Sequence, residues 1–357
     1  MKQTPLHSAH LSLSAKMGEF AGYDMPLYYD LGVLKEHEWV RAHCGIFDVS
    51  HMGQITIEGS GALDFLNSMT PSDFSKLKID AAKYSVLLNE QGGIIDDFIV
   101  THCGEDAYFC VINAGCKDKD IAWLQSKLPE NVELKVHDDY ALVAVQGIES
   151  EQVLREALNL DLSGLGYMKM MAYGDRCYIS RLGYTGEDGF ELSVPVEDVQ
   201  ILWHRLLAHP SVKPIGLAAR DSLRLEMGYC LYGHDIDATT TPREADLEWV
   251  MAKDKIASFP EPTRKRVGII LTGKGIAREG AEILNSAGDK IGVLSSGGFS
   301  PSLKQSIGQG YVPMEYAAEG TEIQVNVRGN LIPAQITKMP FLEPKTKKGK
   351  DINANRK

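Results

Sequence analysis

The 357-residue sequence predicts an α+β fold that ends in a small antiparallel β-barrel. Strand and helix patterns are mixed with hairpins, without the regular βαβ alternation that builds a doubly wound sheet. After about residue 262, short strand patterns alternate with frequent Gly and Pro, which is typical of a small barrel. Neither G-x-G-x-x-G nor G-x-x-x-x-G-K-[ST] occurs, so nucleotide-binding folds are disfavoured.

The first half of the chain predicts helices, strands and one prominent hairpin. Apolar residues recur with helical spacing from Val33 to Cys44, and Gly45 is placed to end that helix. Further helices are predicted at 61–69, 119–128 and 151–158, and further strands at 54–58, 107–113 and 140–146.

The hairpin is predicted over residues 84–100, with its reversal at Glu90 to Gly93. Successive side chains of a strand point to opposite faces, so Asp96 and Asp97 cannot both face water or both face the core. A carboxylate among apolar neighbours loses hydration at a cost of several kcal/mol unless a donor compensates it. One of the two must therefore face the interior or a cleft, where a carboxylate can serve catalysis. The alternative is that one Asp caps the turn and the other is solvated at a strand edge.

The second half of the chain predicts a glycine-rich loop over 181–192 between two strands, then helices at 198–209 and 218–227. Threonines and prolines between 237 and 262 indicate a domain boundary. The barrel strands are predicted at 266–271, 290–294, 308–312, 322–327 and 332–337.

Composition and charge exclude several classes of protein. The formal charge of −11 argues against a nucleic-acid binder with a general basic surface. No window approaches 18 uninterrupted apolar residues, so no membrane partner is expected. The first residues lack an apolar signal core and an Arg/Ser-rich presequence, which predicts a cytoplasmic enzyme of the bacterial type or, alternatively, a mature organellar one.

Cysteine and histidine spacing predicts no metal site. The six Cys form no C-x-x-C pair, and the ten His show neither H-x-x-x-H nor H-E-x-x-H spacing. We expect the cysteines to be reduced core residues, and this includes Cys116 in its turn-like N-A-G-C context.

Ten stretches, in order over almost the whole chain, resemble the aminomethyltransferase (T-protein) family of the glycine cleavage system. Any one of them is weak, but the ordered set is specific. They are M-P-L-Y-Y (25–29), F-D-V-S-H-M-G (47–53), Y-S-V (84–86), G-G-I-I-D-D (92–97), V-I-N-A-G (111–115), G-Y-T-G-E-D-G-F-E (183–191), G-L-A-A-R-D-S-L-R-L-E (216–226), L-Y-G-H-D-I-D (231–237), S-P-S-L-K (300–304) and K-M-P-F (338–341).

The resemblance implies three domains around a central folate-binding opening. Two interlocked α+β domains would be formed by 1–50 with 140–245 and by the inserted segment 51–139, and the barrel by 246–345. The family takes an aminomethyl group from the lipoyl arm of a partner, the H-protein. It releases ammonia and leaves the carbon on tetrahydrofolate as 5,10-methylenetetrahydrofolate.

The resemblance also assigns site residues. Asp97 matches the family's catalytic carboxylate, which leaves Asp96 structural. Glu191 is the expected acceptor of the pterin donors, with an exposed strand Glu as its alternative. Arg220 matches a substrate-binding position, although its spacing alone favours a surface salt bridge to Asp221 or Glu226. Weaker matches, whose alternative is ordinary packing, are Tyr84, Asn113, Tyr184, Tyr229 and Met52.

Other interpretations stay open beside this one. The chain could be another folate-dependent methyl or one-carbon transferase of the superfamily, or a non-catalytic folate-binding accessory protein. His51 could transfer protons, but a structural hydrogen bond is preferred. The segment beyond Phe341 departs from the family pattern, so Lys345, Lys347 and Arg266 are only guesses for the folate glutamate tail. The basic tail 346–357 is expected to be disordered, with docking to an acidic partner as its alternative.

Overall fold

The computed structural model describes residues 1–174 and 176–347 and confirms the α+β class with a closed C-terminal barrel. The strands are β1 (Lys16–Phe20), β2 (Tyr23–Tyr28), β3 (Cys44–Asp48), β4 (Gly53–Glu58), β5 (Ala82–Leu88), β6 (Ile94–Gly104), β7 (Ala107–Ile112), β8 (Glu133–Val136), β9 (Tyr140–Gln146), β10 (Lys169–Tyr173), β11 (Cys177–Arg181), β12 (Gly189–Pro195), β13 (Val212–Pro214), β14 (Arg264–Leu271), β15 (Glu282–Leu284), β16 (Lys290–Ser300), β17 (Gln305–Pro313), β18 (Glu322–Val327) and β19 (Asn330–Thr337).

The helices are mostly short and connect or cover the sheets. They are α1 (His7–Ser12), α2 (Val33–Ala42), α3 (Ala62–Met69), α4 (Lys117–Ser126), α5 (Ser150–Leu158), α6 (Val199–Leu207), α7 (Leu217–Glu226) and α8 (Lys253–Ile256). Single 3₁₀ turns lie at Ala114–Cys116, Glu248–Val250 and Met314–Tyr316.

A six-stranded sheet, in the order β10-β11-β12-β9-β3-β13, forms the first core. Its central strands alternate between two buried faces. Ile46 and Val145 pack with α5 and α6 on one face, whereas Phe47 and Ala144 pack with α7 on the other. Because both faces are covered, β9 is buried from Ala141 to Gln146.

A five-stranded antiparallel sheet, in the order β5-β6-β7-β4-β8, forms the second core with α3 and α4. The predicted hairpin is β5–β6, paired from Ala82↔Thr101 to Leu88↔Ile94. At its reversal, the Asn89 side-chain oxygen accepts the N–H groups of Gln91 and Gly93, and Gly92 takes a φ of +80°. A Cβ at Gly93 would lie 1.9 Å from the carbonyl oxygen of Ala238, so only glycine fits there.

The barrel closes in the order β14-β17-β16-β15-β18-β19 around its own apolar core. It docks on the last turn of α7 through a buried group that we call the Glu226 cluster. Glu226 accepts hydrogen bonds from Ser300 and Ser302 of the barrel and lies 2.7 Å from Arg41 Nη2 and 3.1 Å from His37 Nε2. The cluster therefore joins α2, α7 and the barrel at one carboxylate.

Several elements differ from the prediction. The strands β1 and β2 pair as a hairpin, although their sequence shows little periodicity. The barrel has six strands where five were predicted, because β15 is only three residues long and too short to show alternation.

The domain limits stay a prediction. The distribution of strands between the two sheets supports it. The six-stranded sheet takes its strands from 44–48 and 140–214, and the five-stranded sheet lies between them in sequence. Almost all of the basic tail 346–357 lies outside the described residues. Among the helices that the structure describes, none has the length and apolar content to cross a bilayer.

Candidate active site

A cavity of about 1750 Å³ lies where the two sheets and the barrel meet. Single small-molecule sites usually occupy about 300–1,000 Å³, so this cavity has room for two ligands. Its wall contains all eight predicted site residues: Met52, Tyr84, Asp97, Asn113, Tyr184, Glu191, Arg220 and Tyr229. Their placement is a fact of the structure, whereas their roles stay predictions. A second cleft of about 680 Å³, beside the barrel, contains none of them.

Asp97 lies on β6 and points into the cavity between two hydrogen-bond donors. Tyr84 Oη donates to Asp97 Oδ2 at 2.9 Å, and Asn113 Nδ2 donates to Asp97 Oδ1 at 2.8 Å. Burial, and then the charge of Asp96, raise the pKa of Asp97 to about 7, and the two donors only partly oppose this. The carboxylate therefore titrates near neutral pH.

Asp96 is fully buried beneath the cavity wall and is held by one neighbour. The backbone N–H of Asn113 donates to Asp96 Oδ2 at 3.0 Å, and Asn113 Nδ2 donates to Asp96 Oδ1 at 2.9 Å. The strand alternation does separate a cavity-facing Asp97 from a buried Asp96. Asn113 nevertheless touches both carboxylates, so the two groups are not isolated on opposite faces.

Arg220 and Glu191 form a polar end of the cavity. Arg220 lies with Cζ 4.8 Å from the ring centre of Tyr184, and its Nη1 is buried without a hydrogen-bond partner in the part of the chain that the structure describes. Burial raises the pKa of Glu191, and Arg220 opposes that rise. A buried donor without a partner indicates a position that a ligand acceptor can occupy.

The surface salt bridge that spacing alone favours for Arg220 is wrong. Asp221 instead pairs with Arg224, and Glu226 is enclosed in its own cluster, so α7 turns Arg220 toward the cavity. The alternative of an exposed strand residue for Glu191 is also wrong, because Glu191 is partly buried and lines the cavity.

Aromatic side chains form the cavity walls. Tyr184 and Tyr229 stack with ring centres 5.6 Å apart, and the Tyr184 hydroxyl donates to the Cys230 carbonyl. Tyr84 stacks on Trp249 at 5.6 Å, and Trp249 is 67% exposed. A flat substrate ring could extend either stack.

His51 and Met52 line the cavity beside each other. The structural hydrogen bond expected for His51 is missing within the described residues, since its Nδ1 is buried without a partner. Burial lowers the pKa of His51 to about 4, so the imidazole is neutral at physiological pH. Met52 both lines the cavity and packs against the core beneath α7.

The three guesses for a glutamate-binding cation are not supported. Lys345 pairs with Glu187 and Lys347 with Glu151, and neither lines the cavity. Arg266 lines the cavity but is 4% exposed, and it donates to the Ala245 and Gly228 carbonyls.

Trp249 and Lys119 line the cavity but were missed in the sequence. Trp249 is one of four tryptophans and stands in the polar boundary segment, which could have drawn attention to it. No sequence signal marks Lys119, because a single lysine on a helix is normally a solvated residue.

Fold and site together define an enzyme-like class: an α+β body and a β-barrel enclosing an aromatic-walled cavity with a carboxylate that titrates near pH 7. Comparison with known sequences makes the class specific. The family model of the GCVT N-terminal domain matches residues 6–255, and that of the glycine cleavage T-protein C-terminal barrel domain matches 264–343. The chain belongs to the glycine cleavage T-protein family.

Relatives and one solved structure cover nearly the full length. The aminomethyltransferase of Chloroherpeton thalassium is 41% identical, over 96% of this chain and 99% of that protein. The mitochondrial aminomethyltransferase of Homo sapiens is 42% identical, over 96% of this chain and 90% of that protein. The crystal structure of the glycine cleavage system aminomethyltransferase T from Bartonella henselae superposes with a TM-score of 0.93 at 40% identity, covering 97% of this chain and 99% of that one.

Proposed function

We propose that this protein is the aminomethyltransferase of a glycine cleavage system. Its donor would be the aminomethyl group on the dihydrolipoyl arm of the partner H-protein, and its acceptor tetrahydrofolate. The observation that carries the proposal is the Asp97 carboxylate, held by Tyr84 and Asn113 and facing a cavity large enough for both substrates. Relatives named aminomethyltransferase over nearly the full length support the same conclusion.

The proposed reaction moves one carbon from the sulfur and the amine nitrogen of the donor to two nitrogens of the acceptor. The S–CH₂–NH₂ carbon loses its bonds to sulfur and to the amine nitrogen and gains bonds to N5 and N10 of tetrahydrofolate. The two hydrogens released from N5 and N10 end on the dihydrolipoyl sulfur and on ammonia. Positive charge must therefore develop on the departing amine or on an iminium-like carbon.

Asp97 would stabilise that charge in its ionised form. Tyr84 and Asn113 hold the two carboxylate oxygens, so the counter-charge is oriented before the reaction begins. Preorganised charges in a water-poor site are often the largest catalytic contribution. A cationic ligand would itself favour ionisation of Asp97, because an opposite charge lowers a carboxyl pKa.

The other cavity residues would orient the acceptor. Glu191 can accept two parallel hydrogen bonds from the 2-amino group and N3–H of a pterin. Arg220 offers the unpaired Nη1 donor to a pterin oxygen or nitrogen. Tyr184, Tyr229, Tyr84 and Met52 would pack against the rings. A cytoplasmic location stays a prediction from the sequence.

The test supplies aminomethyl-loaded H-protein and tetrahydrofolate and measures ammonia and 5,10-methylenetetrahydrofolate. We expect both products in equal amounts, and the Asp97→Asn protein serves as the matched negative control. Folate binding without either product would overturn the proposal and favour the accessory protein. Methyl transfer from another donor to tetrahydrofolate would instead favour a different transferase of the superfamily.

A further inference from the structure

A second buried carboxyl group, Asp120, lies behind Asp96 and has no role in the reaction above. It lies in the first turn of α4 and is fully buried. Neither of its oxygens accepts a hydrogen bond from any residue that the structure describes. Oxygen atoms of Asp96 and Asp120 and the Cys116 sulfur all lie within 4.8 Å of one another.

Lys119 does not supply the missing donor. Its Nζ lies 3.8 Å from Asp120 Oδ1, which is too long for a hydrogen bond. An ammonium has three donors, and those of Lys119 are used by the Ile95 carbonyl at 2.5 Å, the Tyr232 hydroxyl at 3.2 Å and the Cys116 sulfur at 3.5 Å.

A buried carboxylate without a donor is strongly disfavoured, whereas a protonated carboxyl becomes a donor itself. Asp96 offers an acceptor oxygen within 4.8 Å, and its oxygens already take two hydrogen bonds from Asn113. Burial, and then the charge of Asp96, raise the pKa of Asp120 to about 10. The N-terminus of α4 favours an anion, but this effect is weaker than the loss of hydration.

We propose that Asp120 is protonated and donates its proton to Asp96, and that this carboxyl–carboxylate pair positions Asn113 against Asp97. Asp120 is thus a positioning residue, acting through Asp96 and Asn113. The inference rests on the proposed role of Asp97. A divalent cation among the same atoms is disfavoured because the Lys119 ammonium lies 3.5 Å from the Cys116 sulfur and 3.8 Å from Asp120.

The charged and titratable groups of the pair and around it come from five parts of the fold. Asp96 and Asp97 belong to β6, Tyr84 to β5, Cys116 and Lys119 to the turn before α4 and to α4 itself, and Tyr232 to the loop after α7. Burial raises the pKa of Cys116 well above its ordinary value, so this neighbour is a neutral thiol. We therefore expect Asp120 to keep its proton at pH 9.

The first test is infrared spectroscopy of the full-length protein with ¹³C-labelled aspartate at pH 9. We expect a carbonyl stretch of a protonated aspartic acid that shifts with the label and is lost in Asp120→Asn. Absence of this band in the unsubstituted protein would overturn the proposal. Retention of the band in Asp120→Asn would also overturn it, because the proton would then lie elsewhere.

The second test compares two substitutions at position 120. The amide introduced by Asp120→Asn can still donate to Asp96, so this variant should keep kcat within about threefold of the unsubstituted protein. Asp120→Leu introduces a side chain of the same branched shape, though larger, without a donor, and should lower kcat about 10- to 100-fold, with little change in the KM for tetrahydrofolate. Equal losses in both variants would show that position 120 needs an anion and would overturn the proposal.

Metal analysis tests whether a divalent cation is bound in place of the shared proton. A stoichiometric divalent metal in the purified protein that is lost in Asp120→Asn would replace the shared proton by a cation and overturn the proposal. The infrared result stands independently of turnover. If the unsubstituted protein made no product, the proposed function would fail, while the band at pH 9 would still decide the state of Asp120.

Discussion

Asp97 in the cavity wall and Glu226 at the junction of body and barrel are both largely removed from water, yet their pKa values shift in opposite directions. Burial raises the pKa of Asp97 to about 7, whereas the Glu226 pKa is about 2 because hydrogen bonds and charges from His37, Ser300 and Arg41 outweigh burial. Tyr84 and Asn113 are the neutral donors of Asp97, whereas Glu226 pairs with the Arg41 guanidinium and also contacts the His37 imidazole. Burial alone therefore does not determine the charge of an acid; its donors do.

The comparison also separates function from stability. A carboxylate with few hydrogen-bond donors is poorly stabilised in its ionised form, so a cationic substrate can still stabilise it. The Glu226 carboxylate is already fully paired and gains little from a further cation, but it holds α2, α7 and the barrel together. We expect substitution of Asp97 to lower turnover without lowering stability, and substitution of Glu226 to lower stability without lowering turnover.

The largest expected effect is on turnover in Asp97→Asn. Removing the counter-charge should lower kcat about 10³- to 10⁴-fold and leave tetrahydrofolate affinity nearly unchanged, because the charge is needed mainly in the transition state. Steady-state kinetics with loaded H-protein and a folate titration measure the two quantities. A loss of the same size in Asp96→Asn would contradict the assignment of catalysis to Asp97.

The next effect is on stability in Glu226→Gln. Removing one partner of a buried ion pair should destabilise the protein by about 3–5 kcal/mol, since the Nε and Nη2 donors of Arg41 lose their charged acceptor and only Glu187 remains as its counter-charge. Denaturant unfolding at pH 8 measures this change. Glu226 does not line the cavity, so turnover per folded molecule should stay close to normal. Intact stability would show that the Glu226 cluster does not hold the barrel.

Asp97→Asn should change stability with the opposite sign. The folded pKa of Asp97 is raised from 3.8 to about 7, so the folded state loses stability as pH rises from about 4 to about 7, by at most roughly 4 kcal/mol. The neutral Asn avoids this cost. The variant should unfold at a higher temperature than the unsubstituted protein at pH 8.5 and at about the same temperature near pH 4. If Asp97→Asn unfolded at a lower temperature than the unsubstituted protein at pH 8.5, the expected difference in stability effect between Asp97 and Glu226 would be contradicted.

Glu191→Gln should weaken tetrahydrofolate binding about 10- to 100-fold, because a charged acceptor of pterin donors contributes about 1.5–3 kcal/mol. The change keeps the side-chain volume, so the effect on kcat should be small. Isothermal titration with tetrahydrofolate measures the affinity. An unchanged affinity would exclude Glu191 from the pterin site.

The smallest effect is a shift of the pH profile in Tyr84→Phe. If ionised Asp97 is the active form, kcat/KM should fall as pH drops below about 7. The Tyr84 hydroxyl stabilises the ionised form, so its removal should move this acidic limb to higher pH, while Phe keeps the stack on Trp249. A shift to lower pH would mean that the protonated form of Asp97 is the active one.

The sequence predicted the local features of the site well. The Gly92–Gly93 turn and the apolar runs around it define the hairpin, and strand alternation requires one of two adjacent acids to face inward. The six-strand barrel and the first hairpin were only partly visible, because β15 is short and β1–β2 lack periodicity.

Long-range pairings were not predictable in the same way. Whether Arg220 pairs with Glu226 or faces a cavity depends on where α2 and the barrel place Arg41, His37 and Ser300, which lie at least 74 residues from Glu226 along the chain. Asp120 is a similar case. Nothing in the helix pattern indicates that it meets Asp96 across the sheet, because that contact depends on tertiary packing.

The cavity takes its wall from both sheets and from the barrel rather than from one of them. A molecule that fills it binds only when the two sheets and the barrel are assembled, so it shifts the folding equilibrium by RT ln(1 + [L]/Kd). Substrate supply and resistance to proteolysis are then linked. When the pool of the proposed folate substrate is low, the chain should be degraded faster, so the amount of protein would follow the amount of that substrate.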